Sequence, residues 1–90
     1  MNKRVHAYYS GQVQGVGFRY TARSVAQNLG LNGWVKNTYD GGVELVLEGD
    51  ESALKQALSR IKQEMNCTSF KESVSWEPGT GEFTRFEISF

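Results

Sequence analysis

The segment GWVKNTYDGGVELVLEG, residues 33–49, holds two extended runs around a turn signal. Residues 33–39 read as a strand, and Asp40-Gly41-Gly42 is a strong hairpin signal. Beyond it Val43, Leu45 and Leu47 point inward while Glu44 and Glu48 point outward, which gives a strand over 43–49. A helical pattern flanks this hairpin on each side. Upstream, Phe18, Ala22, Val25, Ala26 and Leu29 mark one face of a helix, and Gly30 suits a left-handed cap with Leu31 packing back. Downstream, Asp50 is placed to cap a helix running to about Met65, with Leu54, Ala57, Leu58, Ile61 and Met65 on one face. Outside the helices lie three further strands. Residues 4–10 alternate Val5, Ala7 and Tyr9 against His6, Tyr8 and Ser10. Residues 70–76 form a fourth strand, Glu77 to Gly81 turn the chain, and residues 85–90 form a short last strand with Phe86, Ile88 and Phe90 inward.

This order, βαββαβ plus a short C-terminal strand, predicts an α+β fold. Two helices with one apolar face each are accommodated by an antiparallel sheet carrying both on one side, the ferredoxin-like split βαβ sandwich. At 90 residues, 39% hydrophobic and 12% aromatic, the chain is expected to be one packed domain, 1–90. No apolar run has the length of a membrane span, and Met1 to Arg4 lead straight into strand-like alternation, so a soluble cytoplasmic protein with no membrane partner is expected. Cys67 is the lone cysteine and His6 the lone histidine. They allow no internal disulfide and no Cys/His metal cluster. Cys67 reads as an incidental thiol and His6 as a structural strand residue. Neither a metal nor a cofactor is expected.

Zero net charge conceals an uneven distribution. Residues 1–39 hold Lys3, Arg4, Arg19, Arg23 and Lys36 and no acid, whereas residues 40–90 hold ten acids against five bases. The basic half contains GQVQGVGFRY, residues 11–20, with three glycines in seven residues and an arginine where the first helix begins. In a split βαβ this loop and Asn37, near the end of the second strand, lie at the same sheet edge, with the third strand between them. Two strand spacings, roughly 10 Å, separate them. Glycines let backbone N–H groups converge on a ligand, and a helix N-terminus adds free donors and partial positive charge. Arg19 is a poor neighbour for that dipole unless an anion is present. Spacing admits two readings, a phosphate seat or a tight βα turn with a solvent-facing arginine. The nucleotide P-loop and dinucleotide fingerprints are both absent, since no Lys-Ser/Thr pair follows and Tyr20 stands where a third glycine is needed.

Arg19, Asn37, Thr38 and backbone amides offer no general base at neutral pH. Asp40 is close in sequence, but its place in Asp-Gly assigns it to the turn. Positioning and positive charge alone still accelerate phosphoryl transfer. They suit a leaving group that needs no proton, such as the carboxylate of an acyl phosphate.

The constellation resembles the acylphosphatase family. The first signature, G-x-V-Q-G-V-x-F-R, is present at Gly11 to Arg19. The second is present as Gly33 to Asn37, Gly41, Val43 and Gly49. The resemblance spans the chain. It implies metal-independent hydrolysis of small acyl phosphates to a carboxylate and inorganic phosphate, with phosphate as product and competitive inhibitor. Arg19 and the amides of Gln14, Gly15, Val16, Gly17 and Phe18 would bind the phosphate, Asn37 would orient the attacking water, and Thr38 would support Asn37. By the same resemblance the Phe90 carboxylate would pair with Arg19 when no ligand is bound. One position departs from the family, Tyr9, which replaces an aliphatic residue at a packing position; Gly17 fills a position that varies in the family and should loosen the loop slightly.

A non-catalytic anion-binding module on the same fold would keep Arg19 and the loop but has no need of Asn37. RNA binding lacks its aromatic string and basic surface, so no nucleic-acid partner is expected. Arg23 and Lys36 read as surface charges, Lys36 on the strand face opposite Asn37. Trp34 and Trp76 read as packing residues. With no long apolar surface stripe left over, a monomer is expected.

Overall fold

A computed structural model of the chain describes residues 2–11, 13, 17–65 and 70–89. Alternating apolar residues build strand β1 (Asn2–Gly11), and helix α1 (Phe18–Asn28) follows the glycine loop. Strands β2 (Asn32–Asn37) and β3 (Val43–Asp50) form the hairpin. Helix α2 (Glu51–Glu64), strand β4 (Phe70–Pro78) and strand β5 (Phe86–Ser89) complete the order. The strands form one sheet in the order β4-β1-β3-β2-β5. Three of its four pairings are antiparallel, and β5 lies parallel to β2. The ferredoxin-like α+β architecture is therefore the observed one, with a sheet that is mixed at its β5 edge.

Local chemistry accounts for the helix ends. Asp50 caps α2, its side chain accepting from the Ser52 N–H at 3.3 Å, and Glu51 occupies the first turn, where its charge complements the helix dipole. At the end of α1, Gly30 is left-handed, and the Leu31 N–H donates to Ala26 O at 2.8 Å while buried Leu31 packs back. Strand β2 stops two residues short of the expected Tyr39. Thr38 instead closes the turn, its N–H donating to Gly42 O at 2.9 Å.

One face of the sheet makes the core. Val5, Ala7, Tyr9, Val35, Val43, Leu45, Leu47 and Phe86 pack there against Phe18, Ala22, Val25 and Ala26 of α1 and Leu54, Ala57 and Ile61 of α2. Trp76 departs from its expected packing role. It points to the helix face of edge strand β4, where neither helix backbone reaches, and is 43% exposed. Trp34 is half-buried on the open face, with Lys36 Nζ 5.3 Å from its ring centre.

Residues 79–85 strap the chain from the β4 edge to the β5 edge, which is why β5 arrives parallel to β2. The strap is anchored on Glu48, the sole buried charged residue among those described. Its carboxylate accepts from Thr80 N (3.0 Å), Thr80 Oγ1 (2.8 Å), Gly81 N (2.9 Å) and Arg4 Nε (2.8 Å). Burial by itself would push this carboxyl up. The bonds from Thr80, Gly81 and Arg4 outweigh it and hold the group at about 2, below the usual 4.5.

A carboxyl depressed by folding adds stability that is full above its unfolded value and is lost as pH falls toward its folded value. Acid should therefore weaken the fold between pH 4.5 and about 2. Glu48→Gln should cost about 2 kcal/mol at pH 7 and flatten that acid limb, as read by denaturant melts across pH.

Candidate active site

Strand β1 gives way at Gly11, and buried Val13 donates its N–H to Gly11 O at 3.0 Å. The chain enters α1 through Gly17, whose φ of +79° is left-handed and favours glycine at this position. The first helical bond runs from the Thr21 N–H to Gly17 O at 3.0 Å. Among the described residues no side chain caps α1, and no acid lies in its first turn. The start of α2, by contrast, is capped by Asp50 and led by Glu51, whereas α1 carries Arg19 in its first turn, beside the positive end of the helix dipole.

Phe18, the first residue of α1, is fixed from below. Its ring centre lies 4.7 Å from that of Tyr9 and 6.2 Å from that of Phe70, and the Tyr9 and Phe70 rings meet edge-on at 5.4 Å. The Tyr9 hydroxyl donates to Glu72 Oε2 at 2.8 Å, and Glu72 pairs with Lys62 of α2 at 3.2 Å. Tyr9, the departure from the usual aliphatic residue, thus supports the helix start and has its buried hydroxyl satisfied.

Asn37 arrives from the other side. It is the last residue of β2 and pairs in register with Val43, which in turn pairs with Tyr9 on β1. The three stand in a row across the sheet, with β3 in the middle as the topology argument required. A pocket of about 220 Å³ opens above, lined by Val13, Gly17, Phe18, Arg19, Tyr20 and Asn37. It brings Arg19 and Asn37 together, and its volume suits an oxyanion with a water molecule. The described lining holds a guanidinium, a carboxamide and backbone donors, and neither a carboxylate nor an imidazole. Such a site can bind and orient, and it can stabilise negative charge.

The other candidates are placed as follows. Thr38 stands in the turn behind Asn37 and does not line the pocket. Its hydroxyl donates to Asp40 Oδ1 at 2.6 Å and accepts from the Gly42 N–H at 3.1 Å. Gln14, Gly15, Val16, Cys67 and Phe90 lie outside the described residues. Arg23 is exposed on α1, its guanidinium carbon 5.2 Å from the Tyr20 ring centre. Lys36 is on the open face, 3.9 Å from Glu44. His6 Nε2 meets the same Glu44 carboxylate at 2.5 Å, away from the pocket.

Two features escaped the sequence. Tyr20 lines the pocket beside the signature residues, among them Val13. Tyr8 donates its hydroxyl to Asp40 Oδ2 at 2.5 Å. The bonds from Thr38 and then Tyr8 hold the Asp40 carboxyl below its ordinary range, and the bond to Asp40 raises the Tyr8 phenol. An Asp-Gly turn and an alternating strand residue carried no sign that they would meet.

The chain is similar to known proteins over nearly its whole length. The family model for acylphosphatase matches residues 5–88. An acylphosphatase of Caldanaerobacter subterraneus subsp. tengcongensis is 48% identical over 89 residues, covering 98% of this chain and 99% of that one. One from Lactobacillus johnsonii is 40% identical over 90 residues, with 98% and 99% covered. The crystal structure of acylphosphatase from Bacillus subtilis superposes with a TM-score of 0.89 at 35% identity, covering 98% of this chain and 99% of that one. The chain belongs to the acylphosphatase family. It is a hydrolase acting on acyl phosphates. Among the described residues no helix is long and apolar enough to cross a membrane.

A Cβ at Gly17 would meet nothing within 4 Å, so the constraint there is the backbone angle and not space. Gly17→Ala should cost about 1 kcal/mol without local collision, as checked by chemical denaturation.

Proposed function

We propose that the substrate phosphate binds at the start of α1, held by the Arg19 guanidinium and the backbone amides of residues 14–18, and that Asn37 orients the attacking water. The observation that carries this reading is the acid-free first turn of α1, with Arg19, lining the pocket that Asn37 completes. An anion there complements the positive end of the helix dipole and offsets the conflict between Arg19 and that dipole.

The water oxygen attacks phosphorus as the bond from phosphorus to the acyl oxygen breaks. The carboxylate departs with the bonding pair and needs no proton. One water proton passes to a phosphoryl oxygen, and the second stays with the product as dihydrogen phosphate. Arg19 and the amides stabilise charge on the phosphoryl oxygens, while Asn37 holds the water in line. As the family resemblance implied, the step calls on no metal and no covalent enzyme intermediate. Inorganic phosphate, as product, should inhibit by occupying the same seat. We take residues 1–90 as one acylphosphatase-like domain acting as a cytoplasmic monomer, a reading supported by the shared core and the lone cysteine. Light scattering on the eluted peak tests the monomer.

Steady-state hydrolysis of an aromatic acyl phosphate without added metal tests the mechanism. Wild type should turn over, and Arg19→Ala and Asn37→Ala should each lose about 10³-fold in kcat while remaining folded. Arg19→Ala should also lose inhibition by phosphate, whereas Asn37→Ala should keep it. A wild type that binds phosphate but never turns over would make the chain an anion-binding module instead.

A further inference from the structure

The ladder between β1 and β3 ends at Tyr9 and Val43, and that between β2 and β3 ends at Asn37 and Val43. The turn that follows Asn37 lies past the end of both ladders, yet it meets β1 once more. The Tyr8 hydroxyl donates to Asp40 Oδ2 at 2.5 Å. The other oxygen of that carboxylate accepts the Thr38 hydroxyl at 2.6 Å and the Gly42 N–H at 3.4 Å. Thr38 is the residue after Asn37, and its N–H donates to Gly42 O at 2.9 Å. One carboxylate thus connects the strand leading into the phosphate loop with the peptide that follows Asn37. The packing is close: a Cβ at Gly42 would lie 2.7 Å from the Tyr8 hydroxyl and 2.5 Å from Tyr9 O. The phenol lies across the glycine, so the turn and the strand hold one another in a single arrangement.

We propose that Tyr8 and Asp40 are positioning residues for Asn37. Their bond sets the gap between the amide that holds the water and the loop that holds the phosphate. Neither residue lines the pocket, so both act through the turn. The proposal rests on the water-orienting role of Asn37 given above. In-line phosphoryl transfer depends on the separation and angle of water and phosphorus, and small misplacements are costly in rate. The bond faces solvent, so its loss costs the fold little.

The test is turnover of an aromatic acyl phosphate, inhibition by inorganic phosphate and thermal melting for wild type, Tyr8→Phe, Asp40→Asn, Asp40→Ala and Asn37→Ala. Asp40→Ala should lower kcat about tenfold, and Tyr8→Phe should lower it by a smaller factor. KM, phosphate inhibition and melting temperature should stay put. Asp40→Asn, which keeps an acceptor oxygen, should recover part of the loss. Unchanged kcat in both Tyr8→Phe and Asp40→Ala, with Asn37→Ala inactive, overturns the tie and leaves the mechanism standing. A fall in kcat matched by equal weakening of phosphate inhibition also overturns it, because the loop and not the Asn37 turn has then moved. An inactive wild type, or an active Asn37→Ala, removes the role of Asn37 and the tie with it.

Discussion

The antiparallel ladder of β1 on β3, from Asn2 opposite Asp50 to Tyr9 opposite Val43, is the constraint on which the rest of the molecule depends. It places β3 between β1 and β2, although β2 precedes β3 in the chain. The ends of β1 and β2 therefore share one sheet edge, a strand's width apart on either side of Val43. A slip of one residue would turn Val5, Ala7 and Tyr9 to the open face and bring His6 and Tyr8 into the core. Burial of the aliphatic row excludes that slip, and the same burial sets the height of Tyr9, on which Phe18 and the start of α1 rest.

The two ends of the sheet handle charge in opposite ways. At the far end, Arg4 and the strap saturate the Glu48 carboxylate with four hydrogen bonds, so a buried charge becomes an anchor. At the site end, α1 starts without an acid in its first turn, and an arginine adds to the positive field. An ion pair completed inside the protein stabilises the fold, whereas a helix start beside an arginine offers positive potential to an anion. The ten acids beyond residue 39 contribute none of their side chains to the described pocket lining.

Much of this was legible in local patterns. The hairpin signal at Asp40-Gly41-Gly42, the capping Asp50 and the Gly30 cap each depend on a few neighbouring residues, and each stands where those residues predicted. Arg19 and Asn37 were readable because topology carries the ends of β1 and β2 to one edge whatever the side chains between them. The misses share a different character. Trp76 looks like any buried indole in sequence, but its strand is an edge that neither helix backbone covers. Strand β2 stops at Asn37 because the Thr38 N–H turns to Gly42 O, which no alternation of apolar residues foretells.

The sequence by itself determined the order of elements, the hairpin, the helix caps and the pairing of a glycine loop with Arg19 and Asn37, because each arises from short-range backbone preference or from connectivity. Only the tertiary structure decided which groups from distant strands meet. The parallel seat of β5 follows from the strap laid over Glu48. The bonds from Tyr9 to Glu72 and from Tyr8 to Asp40 follow from strand register and turn geometry. The physical reason is that a hydrogen bond needs its two atoms within a few tenths of an ångström of one distance. Apolar periodicity reports which way a side chain faces, and only packing in three dimensions sets what it touches.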